Sequence, residues 1–336
     1  MHSAAAFQGV SAPQAVELRP AVTAGPERLS RAARAEIASL VGARPIRFLV
    51  ELSVNWLVVV ALIAMGLYFD NPFVSALCVF LIATRQMVFA LLLHEQVHRL
   101  GLRTKYGDWI VNIFVVYPLI ATTVEDYAKV HLSHHKYFMT DRDPDFLRKS
   151  GHEWTFPASI KTVARIVLRD ITGLNTVQLI RGKTAPSEVS EFARRLPSPR
   201  WLRIGFYICV ATALTAVHGW GAFLLYWLLP LLTLTQLLVR WIAVIEHKYN
   251  VENAKVFEVT PLIQLKWWQK LLFPDLNFAM HAYHHFHPGV SFSNLPKVHA
   301  IYKREGMVDE SALFDGQGAF LRYLVRRPEA KSPGDK

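Results

Sequence analysis

Four apolar blocks constrain this chain more than any other feature. "FLVELSVNWLVVVALIAMGLYF" (48–69) is long enough to cross a bilayer as a helix, which takes about 20 mostly apolar residues. "DNP" (70–72) reads as a tight turn, and "FVSALCVFLIATRQMVFALLL" (73–93) follows it. "WLRIGFYICVATALTAV" (201–217) and "AFLLYWLLPLLTLTQLLV" (222–239), joined by "HGWG" (218–221), repeat the arrangement. In hydrocarbon every backbone polar group must be bonded internally, so such blocks are helical. The expected fold is an all-α integral membrane protein with four transmembrane helices in two hairpins. Arg85 and Gln86 fall inside the second block, so they should face the protein interior or reach an interface. "WIVNIFVVYPLIAT" (109–122) is too short to cross and fits a re-entrant or interfacial helix.

The charges orient these spans. The chain is 52% hydrophobic and only 19% charged, yet its net charge is +11. A basic soluble nucleic-acid binder is excluded, because the apolar residues come in long runs. The turns "DNP" and "HGWG" hold no Lys or Arg, whereas the segment between the hairpins is dense in both. The positive-inside rule then places that segment and both termini in the cytoplasm. A helical cap formed on that side would lie against the membrane face. Residues 1–45 read as a disordered or amphipathic N-terminus without a signal peptide, with "PERLSRAARAEIASLVG" (26–42) as a candidate surface helix. Residues 46–305 read as the membrane domain, and 306–336 as a polar tail. Cys78 and Cys209 lie in apolar runs, which offers no disulfide framework and no CxxC metal site.

Histidine is concentrated on the same side. "HEQVH" places His94 and His98 at i and i+4, on one face if the second span continues as a helix. "HLSHH" holds His131, His134 and His135, and "HAYHH" holds His281, His284 and His285. In each H-x-x-H-H the partners lie at i+3 and i+4, so all three project from one side. "IEH" adds His247 just past the fourth span. One such pair alone reads as polar residues at a helix end. Eight imidazoles, or nine with His247, exceed the four donors of a structural zinc site and suit two metals. Imidazole binds Zn, Cu, Fe or Ni, so ligand type alone does not choose the metal.

Taken in order, "HEQVH", "HLSHH" and "HAYHH" resemble the three histidine boxes of the membrane fatty acid desaturase and hydroxylase superfamily. The resemblance covers about residues 48–305. "HHKYFMTDRDPD" (134–145) is similar to the family's second box running into Asp-Pro-Asp, and "HHFHPGVSFSNLP" (284–296) to its third box running to "NLP". "IEH" (245–247) is similar to the segment that supplies an extra ligand in some members. The resemblance implies a non-haem centre of two Fe ions at the cytoplasmic surface, with O₂ as co-substrate. It implies oxidation of a C–H bond in a lipid or acyl chain, giving a C=C bond in a desaturase. It implies as metal ligands the eight box histidines and His247. The expected location is a bacterial inner membrane.

Residues that orient the ligand rings are expected among nearby acids and amides, first Asp143 and Glu246, then Glu95, Asn277, Asp126, Asp141, Asp145 and Asn294. His287 departs from the family pattern, and His2, His152, His218 and His299 belong to no motif. Trp241, Trp267, Trp268, Phe273, Phe278 and Phe292 could line a chain tunnel, although interfacial anchoring explains Trp267 and Trp268 equally well. No CxxCxxC cluster is present, so electrons come from outside, from a ferredoxin-like protein or b-type cytochrome with its reductase. Basic residues, including those in 183–200, would attract such a partner or anionic lipid. Two other readings remain. A hydroxylase or ketolase of a lipid, carotenoid or amphiphilic metabolite would use the same boxes. "HEQVH" is also an HExxH, the pattern of a zinc peptidase with Glu95 as base, but that reading leaves the other histidines without a role.

Overall fold

A computed structural model describes residues 18–181 and 195–326. Residues 183–194 of the basic stretch and the first 17 residues lie outside that description. Regular structure is helical apart from two short parallel pairings, Ile263–Gln264 with Phe314–Asp315 and Ala158–Ser159 with Val325–Arg326.

Among the described residues, three helices are long and apolar enough to cross a membrane: Pro45–Phe69, Pro72–Val97 and Trp220–Glu246. The first hairpin follows from local chemistry. Asp70 takes a left-handed conformation at φ 40° and ends the first helix. The Asn71 side chain accepts from the backbone N–H groups of Phe73 and Val74, and Pro72 starts the second helix where a missing N–H costs nothing. Gly66 permits close approach to the third long helix, since a Cβ there would lie 2.5 Å from the Tyr226 hydroxyl. That hydroxyl also meets Ser75 at 2.9 Å.

The third apolar block differs in form. It becomes the helix Arg200–Ala216, only 17 residues long, and none of its residues is buried. The helix Trp220–Glu246 runs past the fourth apolar block by about two turns at its C-terminus, is wound as π-helix over Phe223–Leu228, and breaks at Thr233. The short segment Gly107–Val116 ends in a π turn and does not reach spanning length.

Polar residues inside the long helices are paired. Gln86 donates to the Trp227 carbonyl at 2.9 Å and accepts from Thr235 at 2.6 Å, so it joins the second and third helices. Arg85 donates to the carbonyls of Leu271 and Leu272 at 3.3 and 3.5 Å. These two carbonyls end the helix Trp267–Leu272, a favourable place for a cation.

Helices outside the long spans carry the rest of the core. Arg31–Leu40 buries Ala33 and Ile37 in a cluster with Tyr283, Val298 and Tyr302. The segment before it bridges Val22 to Val308, and the residues after it bridge Val41 to Val290. Residues 18–42 therefore strap the loop that follows "HAYHH". At the other end, Phe320 and Leu324 are buried against Phe156, Val244 and Ile245.

Candidate metal centre

Four chain segments bring nine imidazoles together. His94 lies in the last turn of the helix Pro72–Val97, and His98 caps it. Arg99 then turns the chain away at φ 56°. Val124–Tyr137, started by the Thr123 side chain on the Asp126 N–H, carries His131, His134 and His135. His281–Phe286 carries His281, His284 and His285, and His247 follows the last long helix in extended conformation.

The ring nitrogens form two groups. Those of His94, His98, His131, His135 and His284 lie within 4.8 Å of one another, and so do those of His134, His247 and His285. His281 joins the second group through its Nε2, 3.1 Å from that of His285. The groups adjoin, with the His135 and His285 rings stacked at 4.1 Å.

Contacts within the groups are unlike an ordinary polar network. Nε2 of His131 lies 2.9 Å from that of His98 and 3.0 Å from that of His135, whose Nε2 lies 3.1 Å from that of His284. His247 and His285 meet through Nε2 at 2.9 Å. A neutral imidazole has one donor nitrogen and one acceptor, so such a run cannot be satisfied by hydrogen bonds throughout. A cation among the lone pairs resolves the conflict. Two nitrogens at right angles on a metal about 2.1 Å away lie about 3.0 Å apart, whereas tetrahedral placement gives about 3.4 Å. The first group also offers five donors, one more than a tetrahedral zinc takes. The buried His94 Nε2 and His281 Nδ1 have no hydrogen-bond partner among the described residues. The donor set thus fits metal ions.

Electrostatics act in the same direction. Burial drives the pKa of His98 down to about 3, helped by the Arg195 and His134 charges. Burial first, and neighbouring imidazoles second, hold His131, His135, His281, His284 and His285 well below the ordinary histidine range. His247 is lowered in the same way. These rings are neutral near pH 7 and keep their lone pairs for a metal.

Among the expected orienting residues, Asp143 meets a box histidine directly. Its carboxylate lies 2.9 and 3.1 Å from His134 Nδ1 and also accepts from the Met139 N–H at 2.9 Å. It caps the helix Pro144–Lys149 as well. Glu246 instead faces Lys149 and the Tyr249 hydroxyl, each at 3.4 Å, and Asp145 pairs with Lys149 at 3.0 Å. The Glu95 carboxylate accepts from the Phe292 N–H at 3.3 Å, which ties the first box to the loop after the third. Asn277 is left-handed at φ 61° and donates to the Phe292 carbonyl, while Asn294 donates to that of Leu40. Asp126 pairs with Lys129, and Asp141 is exposed.

Two contacts were not expected from the sequence. The Thr260 hydroxyl lies 2.8 Å from His247 Nδ1, and no motif surrounds it. Phe278, expected only as a tunnel residue, stands edge-on to His94 at 4.7 Å and lies against His281 at 4.5 Å. Trp267 and Trp268 are exposed, as interfacial anchors would be, while Trp241 packs on Phe320 and Phe273 on Phe80. Histidines outside the boxes have other partners or none of this kind. His287 meets the Tyr302 hydroxyl and His299 that of Tyr283, while His152 and His218 are exposed.

Comparison with known proteins agrees with this arrangement. A model of the fatty acid desaturase family matches residues 70–314, a range that contains all nine histidines. No curated protein matches the chain at a significant level.

Proposed function

The chain belongs to the fatty acid desaturase family, and from that premise we propose that it is an acyl-lipid desaturase using O₂ and two iron ions. The carrying observation is the convergence of nine imidazoles, without a carboxylate donor, into two adjoining groups. Bound there, iron would supply the O₂-derived oxidant for an unactivated C–H bond, which no side chain provides. His94, His98, His131, His135 and His284 would hold one ion. His134, His247, His281 and His285 would hold the other. Asp143 and Thr260 accept from, or otherwise fix, the outer nitrogens of His134 and His247, so the inner nitrogens point inward. Phe278 packs over His94 and His281 and keeps water from that side.

In this reading Arg200–Ala216 crosses as well, third in chain order, which makes four crossings. Its 17 residues span about 25 Å, short of the usual hydrocarbon thickness by an amount that local thinning absorbs. A helix this apolar with no buried residue suits a lipid surround. Four crossings put both termini and every box in the cytoplasm, where a ferredoxin-like protein or b-type cytochrome and its reductase would deliver two electrons. A bacterial inner membrane meets these conditions.

The test is lipid analysis by mass spectrometry in a host that lacks the activity. Wild type should produce an acyl chain lighter by two hydrogens, and His284→Ala should not. A product heavier by one oxygen would make the protein a hydroxylase. An unchanged profile despite full iron loading and a competent electron donor would contradict an acyl-lipid substrate.

A further inference from the structure

His247 is alone among the nine histidines in extended backbone, at φ −154° and ψ 155°, just past the last long helix. Its ring must therefore be aimed by what holds its neighbours. A buried cation stands behind it. Lys149, only 5% exposed, donates to the Glu246 carboxylate at 3.4 Å and to the Tyr249 hydroxyl at 3.0 Å, residues on either side of His247. It also donates to Asp145 at 3.0 Å, four residues back on its own helix. An ammonium has three N–H donors, so these three acceptors satisfy it.

Lys149 ends the helix Pro144–Lys149, and Asp143 caps the start of that helix while its carboxylate meets His134 Nδ1. The helix is thus a strut about 9 Å long. One end bears on His134 and the other on the flanks of His247, and these two rings stand 5.2 Å apart. Met139 and Tyr249 add apolar contact between the same segments, but apolar contact carries no direction. Hydrogen bonds from a charged donor fix angle as well as distance. Arg148 is the natural control. It donates to the same Asp145 at 2.8 Å from a half-exposed side chain, and among the described residues it has no hydrogen bond to Glu246 or Tyr249.

We propose that Lys149 is a positioning residue for the second metal ion, bracing His247 against His134 through the helix it ends. It acts through Glu246 and Tyr249 and touches no reacting atom. Without the ammonium, the Glu246 carboxylate is left buried and unpaired, so the chain beside His247 must shift. The inference deepens the desaturase reading and rests on it for the identity and number of the metal ions.

The test is anaerobic titration of the full-length, metal-free protein in detergent with ferrous ion against a competing chelator. Wild type should bind two ions. Lys149→Met should weaken one of them by at least about tenfold and leave the other within about twofold. Adding His98→Ala to that variant should remove the remaining tight site, whereas adding His247→Ala should spare it. Arg148→Met should match wild type. Tyr249→Phe keeps the cation but removes one arm of the brace, and should weaken the same ion about threefold. It carries the test if Lys149→Met is not recovered folded. Two sites unaltered or weakened equally in Lys149→Met would overturn the proposal, as would an unaltered Tyr249→Phe. An Arg148→Met protein as impaired as Lys149→Met would also overturn it, since charge near Asp145 would then explain the effect without the brace. Wild type that binds no pair of ferrous ions would sink the desaturase reading and this proposal together. Two ions in wild type with any of the overturning patterns would remove the role of Lys149 alone.

Discussion

At the scale of the residue, the two H-x-x-H-H boxes divide their histidines by the same rule. His131 and His135 join one group and His134 the other, while His281 and His285 join the second and His284 crosses to the first. The helix explains this. Successive residues turn about 100°, so i+4 lies about 40° to one side of i, and i+3 about 60° to the other. Each box therefore contributes to both groups, and no single box builds either alone. Asp143→Asn weakens the anchoring of His134, and Thr260→Val removes the partner of His247. Each should lower metal affinity about 10- to 100-fold, with Thr260→Ser near wild type, as read by chelator competition. The clustering of the histidines was legible because histidine at that spacing has few other uses. Asp143 was legible because it sits nine residues past its ring in a known pattern. Glu246 and Asn277 followed the same logic but meet Lys149 and the Phe292 carbonyl instead. Thr260 gave no signal, because its contact depends on how distant segments fold together.

Among the elements, the first hairpin was readable almost to the residue, since Asp70, Asn71 and Pro72 dictate both helix ends. The second was less so. Its π-wound stretch and its break at Thr233 flank Pro230, which gives no N–H to the helix and crowds the turn before it, an effect that hydropathy alone does not register. Packing makes Gly66 demanding. Gly66→Leu should drive a side chain into Tyr226 and destabilise the hairpin by about 1–3 kcal/mol, seen as a lower midpoint of thermal unfolding in detergent. Gln86→Leu, which leaves the Trp227 carbonyl and Thr235 without their partner, should cost about 0.6–1.7 kcal/mol by the same measurement. A neutral outcome for both would mean that the long helices are held chiefly by lipid-facing apolar contact.

For the whole molecule, the histidine groups tie together segments that are far apart in sequence, and the strap of residues 18–42 backs the third box. Its contacts include the Gly42 N–H to the Gly289 carbonyl at 2.9 Å and the Asp309 N–H to that of Ala21 at 2.8 Å. The helix within it was legible as the amphipathic stretch 26–42, but its packing was not, because its buried positions gain meaning only against Tyr283 and Tyr302. Chelation should loosen the four ligand-bearing segments before the long helices, since metal bound only to the folded state contributes its binding free energy to stability. Hydrogen exchange would detect this as faster exchange over residues 124–137 and 281–286 than over 48–69. The most direct test of the central claim is elemental analysis of purified protein, wild type beside His284→Ala. About two irons per chain in wild type, with a clear loss in the variant, is the predicted result. About one zinc per chain, retained in the variant, would contradict it and return the site to His94, Glu95 and His98 alone.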